Sequence, residues 1–187
     1  MVKKHISIEG MDGVGKTTIC NDIANKSDFI HVEKPLEKLF GFENYIEIRN
    51  KVNNIQNRVF TSWFYGLSNI YLYEKYKDKY VVTDRHLVSN YAWSGEEKNL
   101  DIYRTIIKKI GKPTLTVILY ANEEIIYNRI KSRFKENNDL PKIKHTKMIY
   151  EKMEYFCNKL SLPYIFIDSS DLSVNEITRI ILERVGN

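Results

Sequence analysis

A glycine-rich loop that joins a short apolar strand to a helix, at residues 6–18, limits the folds open to this chain more than any other feature. Gly10, Gly15, Lys16 and Thr17 fit the pattern G-x-x-x-x-G-K-[ST] at each of its fixed positions. Glycine lets the backbone turn sharply and brings successive N–H groups close to an anion, while the following helix N-terminus adds positive partial charge. The sequence therefore predicts a phosphate-binding loop.

The side chains of this loop have separable chemical tasks. Lys16 places a mobile positive charge toward the β- and γ-phosphates of a nucleoside triphosphate, and the Thr17 hydroxyl is suited to bind Mg²⁺. Together they predict a nucleoside triphosphate with its metal as the ligand. We expect the loop as a whole to hold the triphosphate, through Gly10, Asp12, Gly13, Val14, Gly15, Lys16, Thr17 and Thr18.

Length and composition predict a single domain over residues 1–187, since 43% hydrophobic residues suffice for one substantial core. No stretch approaches the roughly eighteen apolar residues of a membrane span, and no signal peptide is apparent, so we expect a cytoplasmic protein. The two cysteines, far apart in the chain, predict buried free thiols, and the scattered histidines predict no zinc site. The net charge of +5 is spread along the chain, which favours a nucleotide over a nucleic-acid polymer.

Strand and helix patterns alternate after the loop, which is typical of an α/β fold with a parallel sheet covered by helices on both faces. The polar run 135–144 is predicted to be a mobile loop. Strands are predicted from residue 6 and at residues 29–33, 80–83, 115–120 and 164–167. Helices are predicted at residues 16–26, 87–93, 100–110, 123–135, 148–160 and 174–185, with two more between residues 43 and 76.

A charged pair, Asp84 and Arg85, follows the predicted strand at residues 80–83. Ligands of open parallel sheets bind beyond the carboxyl ends of the strands, so we expect both residues near the phosphate-binding loop. Asp84 would then hold a Mg²⁺-bound water or accept a proton, the alternative being a helix N-cap. Arg85 would bridge phosphate oxygens of donor and acceptor, the alternative being a surface ion pair.

Arg129 and Arg133 are four residues apart and therefore project from one face of a predicted helix. Facing the site, they would neutralise charge on the transferred phosphoryl group; facing outward, they would belong to a solvated basic surface. The adjoining run 135–144 favours the first alternative, because a segment that closes over the nucleotide would exclude water.

With these residues, the chain resembles the thymidylate kinase branch of the P-loop nucleoside and nucleotide kinases. Residues 9–18, EGMDGVGKTT, are similar to that family's first motif, and residues 84–92, DRHLVSNYA, resemble its D-R-Y-x-x-S-x-x-A-Y motif. Arg129 and Arg133, followed by Asp139, resemble its arginine-bearing lid, here about residues 129–145. The resemblance implies a P-loop kinase fold with a five-stranded parallel sheet and a lid, Mg-ATP as the donor, and often a homodimer.

The resemblance also implies a position for the acceptor. Asp12 would form a hydrogen bond with the sugar hydroxyl of the acceptor nucleoside. Phe60 or Phe64 would stack on its base, although packing in the core is the alternative for aromatic residues on this helical stretch.

Two departures from the family's pattern concern the acceptor. The sequence Glu33-Lys34-Pro35 stands where the family has R-E-P-G-G, which leaves Lys34 and Arg49 as candidates for binding the acceptor's phosphate. The arginine that reads thymine is also missing, since Phe64 or Ser68 occupies its place, depending on the alignment. The identity of the accepted base is therefore open.

Three functions are compatible with these features. The first is ATP-dependent phosphoryl transfer to a deoxynucleoside monophosphate, with dTMP as the first candidate; a monophosphate, with a second pKa of about 6, is mostly dianionic and needs cations rather than a base. The second is a deoxynucleoside kinase, in which Asp84 or Glu33 would deprotonate a 5′-hydroxyl. The third is an ATP-binding module or switch without efficient acceptor turnover.

Overall fold

The computed structural model describes residues 2–132 and 140–186. At the centre of these residues lies a parallel sheet of five strands in the order β2-β3-β1-β4-β5, which confirms the predicted α/β fold. The strands are β1 (Lys4–Glu9), β2 (Ile30–Val32), β3 (Tyr80–Asp84), β4 (Leu115–Tyr120) and β5 (Tyr164–Asp168).

Nine α-helices connect and cover the strands within the described ranges. They are α1 (Lys16–Lys26), α2 (Glu37–Phe40), α3 (Phe42–Asn53), α4 (Arg58–Lys75), α5 (Leu87–Ser94), α6 (Leu100–Ile110), α7 (Glu123–Lys131), α8 (Thr146–Lys159) and α9 (Val174–Val185). Short 3-10 helices occupy Glu97–Asn99 and Leu140–His145. Helix α1 packs against α9, α4 packs against α5 and α6, and α5 packs against α8.

Most predicted elements are confirmed, including the division of residues 43–76 into two helices. The prediction of a loop over 135–144 is wrong at its C-terminal part, because Leu140–His145 forms a 3-10 helix. Its remainder, residues 133–139, lies outside the described residues. Helix α2 was not predicted, since its four residues are too few to show helical periodicity.

The register of the central strands explains where a ligand can bind. Strand β1 is flanked by β3 and β4, with Ile8 opposite both Asp84 and Val117. The carboxyl ends of three parallel strands therefore meet at one edge of the sheet. Strands β1 and β4 are almost entirely buried, as expected for the centre of a sheet covered on both faces.

Helix α4 distributes its residues differently from its neighbour α6. On α6 the buried positions are apolar and the exposed ones mainly charged, the usual amphipathic pattern. The buried face of α4 instead contains small and polar residues, among them Ser62, whose hydroxyl accepts hydrogen bonds from Asn99 (3.3 Å) and Tyr103 (3.2 Å). The exposed face of α4 is an apolar stripe formed by Val59, Phe60, Trp63, Leu67 and Ile70.

Cys20 and Cys157 are both free and buried, which confirms the prediction made for the two thiols. Among the helices in residues 2–132 and 140–186, none combines the length and apolar character needed to cross a membrane. The same residues contain no group of three or more His, Cys, Asp or Glu side chains placed to hold a metal ion.

Candidate active site

The loop between β1 and α1 depends on glycine backbone geometry. Gly10, Gly13 and Gly15 have φ angles of 135°, 88° and 94°, in the region that favours glycine. At Gly10 a Cβ atom would also lie 2.2 Å from the carbonyl oxygen of Leu119, so a side chain does not fit. Gly15 precedes the first turn of α1 without a capping side chain, and this turn presents its backbone N–H groups to an anion.

Lys16 lies folded along this loop. Its side chain is only 6% exposed, and its Nζ donates to the carbonyl oxygen of Met11 at 2.8 Å and lies 3.9 Å from Asp12 Oδ1. Burial, followed by the charge of Arg85, lowers the pKa of Lys16 to about 8 despite nearby carboxylates. A phosphate in the loop would favour the charged form of this amine.

Thr17 and Asp84 form a pair of oxygen ligands at the start of α1 and the end of β3. The Thr17 hydroxyl donates to Asp84 Oδ2 at 2.5 Å. Hydroxyl and carboxylate oxygens suit Mg²⁺, which usually takes one or two protein ligands and completes its octahedron with phosphates and water. The two side chains therefore fit a Mg²⁺ ion that is delivered with a nucleotide.

Arg85 closes over the loop from the end of β3. Its φ of 75° is unusual for a residue other than glycine, and its backbone N–H donates to Ile8 O at 2.9 Å. The guanidinium donates to Asp12 Oδ1 at 2.5 Å and to Gly10 O at 3.1 Å. Burial would lower the pKa of Arg85, but Asp12 and Asp84 raise it, so the group is a permanent cation.

The buried carboxylate of Glu9 is linked to Arg85 through the hydroxyl of Ser89. Glu9 is fully buried, and its Oε1 accepts a 2.5 Å hydrogen bond from the Ser7 hydroxyl. Its Oε2 accepts from the Ser89 backbone N–H at 3.1 Å and from the Ser89 hydroxyl. Arg85 in turn donates to Ser89 Oγ at 3.4 Å. The network ties the first turn of α5 to the end of β1.

His86, which follows this arginine, belongs to the core rather than to a cavity. Its ring packs edge-on against His5, with 4.6 Å between centroids, and lies 5.9 Å from the ring of Tyr73. Burial, together with His5, keeps the pKa of His86 well below its usual range. The side chain is therefore a neutral packing residue.

A cavity of about 920 Å³ extends from the loop across the carboxyl edge of the sheet. Asp12, Lys16, Thr17, Asp84 and Arg85 line the end nearest the loop, which we call the phosphate end. The opposite wall, the acceptor wall, is formed by side chains of α3, α4 and α5. It consists of Tyr45, Arg49, Asn53, Arg58, Tyr65, Asn90, Trp93 and Ser94.

The predicted acceptor residues are only partly brought into this cavity. Lys34 and Arg49 line it, and Lys34 forms an ion pair with Glu33 at 2.9 Å. Phe60 and Phe64 are not among its lining residues: Phe60 is 48% exposed on the outer face of α4, and Phe64 is half-buried. The rotation of the helix turns Tyr65 toward the cavity instead.

Arg129 lies on the other side of the phosphate-binding loop, in a smaller cavity of about 230 Å³. Its guanidinium donates to Ser169 O at 2.8 Å and to Ser169 Oγ at 3.4 Å, and Thr18 and Ile177 contribute to the same cavity. The structure therefore does not bring Arg129 into the larger cavity with Lys16. Arg133 lies outside the described residues.

Several lining residues were not found from the sequence. Asn90 and Trp93 follow Arg85 by five and eight residues, and their position on the helix after a strand end could have indicated them. Tyr45 and Asn53 share one face of α3 with Arg49 through i, i+4 spacing. No local pattern singles out Lys142 or Ser169, which reach the loop only through the tertiary fold.

The side chains around the loop are of the kinds that bind phosphate, ligate a metal ion and compensate charge, and phosphoryl transfer requires little else of a protein. Fold and site thus define the class of P-loop kinases, which are phosphotransferases. The particular family follows from comparison with known proteins: a family model described as thymidylate kinase matches residues 8–181. The chain belongs to the thymidylate kinase family.

Curated relatives match over nearly the full length of both chains. A probable thymidylate kinase of Methanocaldococcus jannaschii is 27% identical over 190 residues, covering 97% of this chain and 95% of that protein. A probable thymidylate kinase of Picrophilus torridus is 27% identical over 185 residues, covering 88% and 87% of the two chains.

Solved structures share the fold at low sequence identity. The thymidylate kinase of Candida albicans superposes with a TM-score of 0.67 at 15% identity, covering 98% of this chain and 91% of that one. The deoxyadenosine kinase of M. mycoides gives 0.66 at 17% identity, covering 97% and 98%. Both nucleotide and nucleoside kinases thus have this fold.

Proposed function

We propose that the protein transfers the γ-phosphoryl group of Mg-ATP to the phosphate of a deoxynucleoside monophosphate, with dTMP as the first candidate. Family membership supports the reaction type, and the names of the curated relatives support dTMP. The observation that carries the proposal is the continuity of the larger cavity from Lys16 and Thr17 to Asn90 and Trp93. Its volume suits a complete nucleotide beside the donor's terminal phosphate.

In this proposal the protein supplies cations and orientation rather than a base. The acceptor's phosphate is mostly dianionic at pH 7, and one of its oxygens attacks the γ-phosphorus while ADP leaves. Arg85, Lys34 and Arg49 draw the two anionic reactants together, and Lys16 stabilises the charge that develops on the transferred group. Thr17 and Asp84 would hold Mg²⁺, which shields the phosphates of the donor.

The smaller cavity is proposed to receive the base of the donor. Arg129 is held there by two hydrogen bonds to Ser169, and a planar guanidinium group can stack on an adenine ring. A role in binding ATP therefore replaces the predicted role of Arg129 at the transferred phosphoryl group. Its removal should raise the KM for ATP more than it lowers kcat.

The acceptor base is proposed to lie against the polar residues of the acceptor wall. Asn53 and Asn90 can each donate and accept, and Tyr65 lies between them: its hydroxyl donates to Asn53 Oδ1 at 2.5 Å, and its carbonyl oxygen lies 3.5 Å from Asn90 Nδ2. Amide side chains can match the alternating donors and acceptors of a pyrimidine edge. In this proposal the two amides supply the hydrogen bonds to the base that the family's thymine-reading arginine, missing from this chain, would otherwise supply.

A coupled assay with Mg-ATP and each of the four deoxynucleosides and their four monophosphates tests the proposal. We expect turnover of monophosphates, with dTMP preferred. Turnover of nucleosides alone would reject it. Binding of Mg-ATP without transfer to any of the eight compounds would identify an ATP-binding module instead.

Deoxynucleoside phosphorylation is the second candidate, favoured by the position of Glu33 in the larger cavity. A carboxylate there opposes a dianionic acceptor but could deprotonate a 5′-hydroxyl. The Glu33→Gln variant separates the two reactions. It should abolish nucleoside kinase activity if that is the native reaction, and should preserve or improve transfer to a monophosphate if it is not.

We also propose that the apolar stripe of α4 pairs with its copy in a cytosolic homodimer. An exposed row of Val59, Phe60, Trp63, Leu67 and Ile70 is costly in water, and a two-fold axis would bury it against itself. Light scattering coupled to size exclusion should give twice the chain mass for the native protein and a monomer for Leu67→Lys. A native monomer at micromolar concentration would contradict the pairing.

A further inference from the structure

Lys142 joins two parts of the larger cavity that are remote in sequence. It lies on the 3-10 helix Leu140–His145, and its side chain contributes to the cavity lining. Its Nζ lies 3.5 Å from Asp12 Oδ2, in the phosphate-binding loop, and 5.9 Å from the centroid of the Trp93 ring on the acceptor wall. The ammonium group therefore stands where the phosphate end meets the acceptor wall.

Asp12 is shared by three cations from three different elements. Arg85 lies 2.5 Å from Oδ1, Lys142 lies 3.5 Å from Oδ2, and Lys16 lies 3.9 Å from Oδ1. Burial alone would raise the pKa of Asp12, but these charges outweigh it and lower the pKa to about 2. Asp84 and Glu9 also act on Lys16 and Arg85, so Asp12 is not the sole counter-charge of the cluster, and an entering phosphate would compete with Asp12 for the three cations.

The contact between Lys142 and Asp12 is suited to exchange. It is long for an ion pair, and the two side chains remain 40% and 27% exposed, a setting in which such pairs contribute little to stability. Phosphate oxygens form stronger charge-assisted hydrogen bonds with an ammonium group than a distant carboxylate does. A phosphate near Arg85 would therefore draw the lysine away from Asp12.

We propose, on the basis of the proposed function, that Lys142 binds the phosphate of the acceptor monophosphate and releases Asp12 to accept the sugar hydroxyl. The phosphate of the donor is the other source of the same chemistry. The acceptor is favoured because Lys142 also lies over Trp93, on the acceptor wall, whereas no residue of that wall lines the cavity assigned to the donor's base. In this arrangement Lys142 favours binding of a nucleotide over binding of a nucleoside, which has no phosphate.

The first test compares Lys142→Met with Lys144→Met, a matched control from the same 3-10 helix whose side chain is exposed and not part of the cavity lining. Loss of one charge-assisted contact should raise the KM for the acceptor monophosphate at least about tenfold in Lys142→Met. The KM for Mg-ATP should stay within about twofold of the native value in both variants. A rise confined to Mg-ATP, or no difference between the two variants, would overturn the proposal.

A binding experiment tests the same residue without turnover. In a Trp63→Phe background, Trp93 is the remaining tryptophan, and its fluorescence reports the departure of the ammonium group from its ring. We expect dTMP to change the emission more than thymidine or Mg-ADP does, because only dTMP brings a phosphate to Lys142. In the added Lys142→Met variant, dTMP should change the emission no more than thymidine does, with binding of both checked by calorimetry.

The two experiments distinguish failure of this inference from failure of the proposed function. A fluorescence change with dTMP that depends on Lys142, in a protein that transfers no phosphate to dTMP, would reject the proposed reaction and keep the inference. If the native protein phosphorylates dTMP and the Lys142→Met variant has the same KM for dTMP, the proposed reaction is kept and this inference is rejected. An equal fluorescence change with thymidine would show that Lys142 does not respond to the phosphate.

Discussion

The phosphate end and the acceptor wall of the larger cavity are built in different ways. At the phosphate end, Lys16 is 6% exposed and bonded within the loop, and Arg85 makes hydrogen bonds to the loop that hold it in place. On the acceptor wall, Arg58 is 46% exposed, and its contact with Trp93 O is 3.4 Å long. The cations of the phosphate end are thus held by contacts within the loop, whereas Arg58 is loosely held on a wall that three separate helices assemble.

The largest effect is expected at the phosphate end, from Lys16→Met. This change keeps most of the length of the side chain but removes the charge that stabilises the moving phosphoryl group, so turnover should fall by about two orders of magnitude or more. The measurement is kcat at saturating ATP and acceptor. A variant with near-native kcat would mean that phosphoryl transfer does not take place at the phosphate end.

A smaller loss should follow from Asp84→Asn. If Asp84 orients a Mg²⁺-bound water, activity should fall by roughly ten- to a hundredfold and recover in part when the Mg²⁺ concentration is raised. If it deprotonates a hydroxyl acceptor, added metal should have little effect. A Mg²⁺ titration of the initial rate separates the two roles.

Substitutions on the acceptor wall should change the binding of the acceptor rather than the rate of phosphoryl transfer. Asn90→Ala removes a donor and an acceptor from this surface, so the KM for the preferred monophosphate should rise about tenfold while kcat changes little. The same assay with all four monophosphates should show a weaker preference among bases. An equal loss of kcat would contradict the separation between the two ends.

The pH dependence of ATP binding should reflect the buried amine at the phosphate end. Because the pKa of Lys16 is lowered to about 8, the free protein loses this charge above that pH, and binding of Mg-ATP should weaken by a few-fold at about pH 8.5. Calorimetry between pH 6.5 and 9 measures it, with Lys16→Met expected to lack this pH dependence. In the unliganded protein, the same shift should make the free energy of unfolding rise between about pH 8 and pH 10.5, the ordinary pKa of a lysine.

The smallest effect on catalysis is expected from Phe60→Ser. Phe60 faces away from the cavity, so the KM for the acceptor should remain within about twofold of the native value. Tyr65→Ala, the matched change on the inner side of α4, should raise the same KM several-fold through loss of contact area. The reverse order would restore the sequence-based assignment of Phe60 as the stacking ring.

The sequence predicts which residues lie at the phosphate end well and which residues form the acceptor wall poorly, for a physical reason. Phosphate binding needs glycine conformations and a helix N-terminus in one continuous stretch, and Asp84 follows a recognisable strand. The acceptor wall depends on which side of α4 faces inward. The apolar pattern of that helix indicates the wrong side, since its buried face is small and polar to suit Tyr103 and Asn99.

The position of β1 at the centre of the sheet makes the phosphate-binding loop depend on segments that are distant in the sequence. Residues 4–9 pair with residues 80–84 and 115–120, and Val14 O in the loop accepts a hydrogen bond from Ser169, so segments distant in the sequence hold the loop in its native shape. Such long-range pairings are slow to form, because the chain must first close long loops. A nucleotide should therefore bind the folded protein and not the unfolded chain. The concentration of nucleotide in the cell should then contribute to the free energy of unfolding.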